Sequence, residues 1–119
     1  MKNFLFLGVF ALGLTLIHCT KDSSVDVATC TGTTPTYTAD IRAIMDASCA
    51  LSGCHNATSK KSGYELSTYA GTVSAASKSA FLGSIQHKSG YEAMPQRVSK
   101  LSDASLTKIA CWIQNSTPQ

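Results

Sequence analysis

The sequence predicts a small all-α domain of about four short helices behind an export segment and a polar tether. Three observations predict it. Apolar residues recur at i, i+3, i+4 and i+7 in windows that begin after residue 37. Ser102 stands as an N-cap before the clearest of these windows. No stretch alternates apolar and polar residues as a half-buried strand would.

The first predicted helix covers 38–48 (TADIRAIMDAS). Thr38 is a candidate cap, and Asp40 suits the positive end of the helix. Ile41, Ile44, Met45 and Ser48 then form one inward stripe. Residues 49–66 read as loop, with Gly53, Asn56 and Gly63 inside. Ser67 or Thr68 caps a short second helix running to about Ser77. A third covers 78–87, where Phe81, Leu82 and Ile85 share a face. Residues 89–95 form a turn or loop. The last helix spans 102–116: Asp103 lies in its first turn, and Leu101 packs onto Leu106 as a hydrophobic staple. Its stripe is Leu106, Ile109, Ala110 and Ile113, with Trp112 at the edge and Pro118 ending the run.

The start of the chain reads as an export signal. Met1-Lys2-Asn3 is a short basic start, and Phe4 to Ile17 is apolar apart from one Thr and two Gly. A membrane-spanning helix needs about 20 apolar residues, so the run is short for a permanent span. It ends at His18-Cys19, followed by Thr20, Lys21, Asp22 and two Ser. An apolar run closing on a Cys before a polar stretch resembles the lipobox of bacterial lipoproteins, although His18 stands where a small residue is usual. The resemblance implies that Cys19 carries a lipid and becomes the first residue of the mature chain. It implies an exported protein, lipid-anchored on the periplasmic side or at the outer membrane. The absence of an acid directly after the Cys favours the outer membrane. Three units follow: a signal at 1–18, a lipidated tether rich in Ser, Thr and Asp at 19–37, and a domain at 38–119. A domain of about 80 residues buries a limited share of its surface and needs a staple or a cofactor.

Cleavage before Cys19 leaves nine basic and seven acidic side chains, a formal charge of +2. No basic cluster exceeds Lys60-Lys61. That balance excludes nucleic-acid binding as the main role. No Ser-His-Asp order, paired-carboxylate signature or phosphate loop marks an enzyme.

The five cysteines sort by position. Cys19 goes to lipid. Cys30 and Cys111 are left as a pair, either bridged or both free, and export favours the bridge. Cys49 and Cys54 stand five apart, with His55 directly after the second. Two Cys followed at once by a His is the arrangement for covalent haem c. The sulfurs bond the porphyrin vinyl groups, and the next residue places an imidazole over the ring centre as proximal ligand. The usual spacing is C-x-x-C-H; here two residues are added. Met94 follows His55 by 39 residues, enough chain to return on the opposite face of the ring. Its thioether suits haem iron, and Pro95 stiffens the loop that presents it.

The segment from Ile41 to Ser116 resembles small single-haem c-type cytochromes of exported bacterial proteins. The resemblance rests on parts in order: a first helix leading into Cys49–His55, LSTYAG at Leu66–Gly71, LGSIQH at Leu82–His87, Ser89-Gly90-Tyr91, Ala93-Met94-Pro95, and the capped helix from Leu101 to Ile113. It implies a cytochrome c-like fold around one haem c, with the first and last helices crossing. It implies Cys49 and Cys54 as thioethers, His55 as the proximal ligand and Met94 as the distal one. It implies an electron carrier with redox proteins of the cell envelope as partners, no small-molecule substrate, and a cleft near His55 and Met94.

Other readings of the same residues stand beside it. His87 is the competing distal ligand. Cys49 and Cys54 are also compatible with a disulfide in a non-haem binding lipoprotein, or, with His55 and His87, with a zinc site. A haem sensor or peroxidase-like protein would need a displaceable Met94, with His87 and Arg97 as the nearby polar groups.

Overall fold

The entry to the first helix is set by Thr36. In the computed structural model, which describes residues 30–119, its hydroxyl accepts from the Ala39 N–H at 3.3 Å. Asp40 reaches back to the Thr36 N–H at 3.2 Å. Together these form a reciprocal cap one turn long. Thr38, expected as the cap, lies inside the element instead. The chain makes a π-helical turn at Tyr37–Ile41 and continues as α1, Arg42–Ser48. Ile41 and Met45 are fully buried, while Ile44 and Ser48 are half-buried.

α2, Tyr69–Ala76, starts at Thr68, whose hydroxyl accepts from the Gly71 N–H at 3.2 Å. α3, Ala80–Ile85, is shorter than its predicted window. α4, Asp103–Gln114, begins at Ser102, whose hydroxyl accepts from the Ser105 N–H at 3.1 Å. The last helix ends before 116 because Ser116 and Thr117 turn left-handed. No strand occurs among the described residues, so the domain is all-α, with four α-helices.

The core joins both ends of the domain. Tyr37, Ile41, Met45, Leu66, Ala75, Ile85, Leu106, Ile109 and Trp112 form one buried cluster. Trp112 is not at the edge of its stripe: it is fully buried. Its ring lies 6.2 Å from that of Tyr37, and its Nε1–H donates to the Pro118 carbonyl at 2.8 Å. The Tyr37 N–H donates to the same carbonyl at 2.9 Å. The C-terminal tail thus folds back over the meeting of the first turn with α4.

Two further links close this meeting. Cys30 and Cys111 form a disulfide with Cα atoms 5.4 Å apart. This holds the end of the polar segment against α4. Lys108 on α4 donates to Asp40 at 2.9 Å. The Lys108 ammonium, and then the Thr36 N–H, hold the Asp40 carboxyl below its ordinary value. A depressed carboxylate pKa contributes stability at neutral pH that is lost as pH falls through the folded-state value. Lys108→Ala is therefore expected to cost about 0.5–1 kcal/mol near neutral pH. The gap between variant and wild type should narrow when both are unfolded by urea at about pH 3. A gap that stays constant with pH would remove Asp40 as its source.

The expected signal at 1–18 and the expected lipid site Cys19 lie outside the described residues. Among those described, no helix is long and apolar enough to cross a membrane.

Candidate functional site

α1 delivers the chain directly into the Cys49–His55 string. The Cys49 and Ala50 N–H groups both donate to the Met45 carbonyl, at 2.9 and 2.8 Å, which ends the helix. The five residues from Ala50 then curl back. Cys54 N–H reaches the Leu51 carbonyl at 3.0 Å, and His55 N–H reaches the Cys49 carbonyl at 3.2 Å. The longer spacing is thereby folded into a closed loop that returns His55 to Cys49. Gly53 makes this turn with φ +76°, a left-handed conformation that glycine adopts without a Cβ penalty.

Cys49 and Cys54 are free thiols, both half-buried, whereas Cys30 and Cys111 are bridged. The Cys49–Cys54 disulfide of the non-haem alternative is therefore not formed. Cys49 packs against the core. Burial pushes its thiol up to about 11, and the neighbouring Cys54 adds to the rise. The thiolate is the reactive form, so Cys49 should be nearly inert to alkylation at neutral pH. In polypeptide made without haem, its labelling by iodoacetamide should speed up about tenfold per pH unit on the alkaline side. Fast, pH-independent labelling would contradict the buried thiol.

His55 is oriented by backbone. Its Nδ1 lies 3.3 Å from the Tyr64 carbonyl. A carbonyl only accepts, so Nδ1 donates, and in the neutral ring the lone pair is on Nε2. A carbonyl partner of this kind also fixes the tautomer of metal-binding histidines. The His55 carbonyl in turn accepts from the Leu66 N–H at 2.7 Å, which ties the residue to the core. The Tyr64 ring meets the imidazole edge-on, with centroids 6.3 Å apart. Sequence reasoning did not single out Tyr64; its role comes through a carbonyl, which no side-chain pattern reports.

Met94 is half-buried and packs against the core. Its N–H donates to the Ser84 carbonyl at 3.0 Å, and its own carbonyl lies 3.0 Å from His87 Nε2. The Met94 loop meets the segment that follows His55. Lys61 Nζ donates to Gln96 Oε1 at 2.9 Å, and the Gln96 amide donates to Glu92. The Lys61 N–H itself donates to the Cys54 carbonyl at 2.9 Å. One residue thus joins the cysteine loop to the methionine loop.

Large apolar side chains lie exposed on the same segments: Leu51 between the cysteines, Tyr64 beside His55, and Tyr91 and Val98 on either side of Met94. Two open clefts occur elsewhere. One is bordered by Tyr37, Arg42, Tyr69 and Gln119, the other by residues 30–35 and Lys108; neither reaches His55 or Met94. Among the described residues no three His, Cys, Asp or Glu side chains converge as a metal-ion site. The zinc set of Cys49, Cys54, His55 and His87 is therefore not assembled. No family model, curated protein or solved structure matches the chain.

Proposed function

We propose that this chain is an electron carrier of the c-type cytochrome kind, holding one covalent haem and anchored to the bacterial envelope by a lipid on Cys19. The observation that carries this reading is the His55 ring, held through Nδ1 by the Tyr64 carbonyl directly after two free thiols. Such a partner keeps a metal-binding histidine in one tautomer and orientation, and here it acts on the histidine that directly follows the two thiols.

The residues present fit the group. The Cys49 and Cys54 sulfurs would form the two thioethers. His55 Nε2 would be the proximal ligand, and the Met94 sulfur the distal one. The exposed Leu51, Tyr64, Tyr91 and Val98 are apolar surface of the kind a large flat cofactor or a docking partner covers. When bound, haem supplies an iron that changes between ferrous and ferric states, and Met/His ligation raises its potential.

The chain's own part is to hold and shield. The disulfide and the Asp40–Lys108 bridge lock the first turn onto α4. Lys61 and Gln96 keep the two ligand loops together. With His55 and Met94 both holding the iron, no position would be left for a substrate, so the proposed role is electron transfer rather than catalysis. Partners would be other redox proteins of the envelope. The lipid confines the search for them to a surface.

The test is to express the full chain with the bacterial haem-attachment machinery, denature it and record a visible spectrum. Haem that stays with the polypeptide supports the reading; a colourless polypeptide removes it. The lipid is tested separately, by the mass of the mature N-terminal peptide in wild type and in Cys19→Ala.

A further inference from the structure

We infer that His87 is a positioning residue for Met94: its Nε2 holds the Met94 carbonyl, so that the thioether is presented toward the haem, and that nitrogen does not bind iron. The inference rests on the haem reading above and deepens it.

The geometry comes from the end of α3. The Ser84 carbonyl accepts two N–H groups, from His87 at 3.1 Å and from Met94 at 3.0 Å. The loop 87–94 is therefore closed at its neck. His87 has φ +54°, a left-handed conformation that His tolerates better than most residues. There its Nε2 meets the Met94 carbonyl at 3.0 Å. Since a carbonyl only accepts, Nε2 carries the hydrogen in this state. While that bond is made, Nε2 is not available to iron. Both polar groups of the Met94 peptide unit are thus fixed by α3 and its cap. Inside the loop, the Tyr91 ring packs on Gly83, where an added Cβ would lie 2.6 Å from it. Pro95 has no N–H and adds no backbone donor after Met94. What remains free at Met94 is its side chain, which packs against the core.

The consequence is a division of labour between the two candidate distal ligands. His87 supplies backbone order and Met94 supplies the sulfur. A loosely held methionine would leave iron more often and admit small external ligands, so the His87 bond sets how firmly the distal side stays closed.

The experiment uses the haem-loaded full chain and three variants. His87→Asn keeps tolerance of the left-handed backbone but is too short to reach the carbonyl; His87→Gln offers an amide donor with more reach; Met94→Ala removes the sulfur. In His87→Asn, haem should remain covalently bound while the far-red sulfur-to-iron band weakens. The affinity for added imidazole should rise about tenfold, equivalent to about 1.4 kcal/mol. His87→Gln should recover most of the band. Met94→Ala should lose the band entirely. An Asn variant with wild-type band and imidazole affinity overturns the inference. So does a Met94→Ala protein with an unchanged spectrum, which would put His87 on the iron. One readout needs no variant: in the ferrous wild type, nitrogen NMR should find a proton on His87 Nε2, and a bare Nε2 overturns the assignment. A wild type that holds no haem at all removes the haem reading and this inference with it. Covalent haem with an indifferent His87→Asn removes the inference alone.

Discussion

Replacing Cys49 and Cys54 together with alanine should yield a protein that retains no haem after denaturation, while its Cys30–Cys111 disulfide still forms. On the proposed haem reading the two thioethers would be the covalent link, and each would need its own sulfur. A single replacement should leave one bond and a reduced yield of attached haem. His55→Ala should behave differently, because its proposed role is ligation rather than attachment. Haem should stay with the polypeptide, but the spectrum should change and the potential should fall with loss of the proximal nitrogen. Three patterns of retention and spectrum therefore separate the roles of three residues that lie within seven positions of each other. Equal haem retention by the double cysteine variant and wild type would show that attachment does not use this pair.

Cys30→Ala is expected to have the largest effect on stability. The bridge it removes spans 81 residues of sequence and ties the start of the domain to α4. Loop-closure entropy for a span of this size is about 4 kcal/mol. Domains of this class are stable by roughly 5–15 kcal/mol in total, so the loss is a large fraction. The midpoint of thermal unfolding should fall on the order of 20 °C for a domain this small. Cys30 is the better site for the test because Cys111 lies in the buried core, where truncation would add a cavity. Reduction of wild type should lower the midpoint by a similar amount, whereas Cys30→Ala should not respond to reductant. A variant as stable as wild type would mean that the hydrogen bonds around Pro118 suffice to hold the first turn onto α4.

Much of the local structure was legible in the residues. Thr68 and Ser102 cap their helices as expected, because a cap is a bond between residues three apart. The burial of Ile41, Met45, Leu106 and Ile109 followed from helical period alone. The first cap shows where such reading stops. Thr38 is the expected cap, yet Thr36, a threonine two residues earlier, takes the role. Asp40 decides between them by reaching the Thr36 N–H while its other oxygen is held by Lys108, which is 68 positions away.

The sequence by itself determined the capped starts of α2 and α4, the adjacency of Cys54 and His55, and the count that left Cys30 and Cys111 as a candidate pair. These depend on neighbours in the chain or on a count. The tertiary structure decided what faces what. It placed Trp112 inside, against Tyr37, rather than at an edge. It gave the His55 ring its partner in the Tyr64 carbonyl, brought Lys61 to Gln96, and set His87 on the Met94 carbonyl. The physical reason is the same in each case. A backbone carbonyl is present at every residue and carries no side-chain signature. Only the path of the folded chain selects which one a ring or an ammonium will meet.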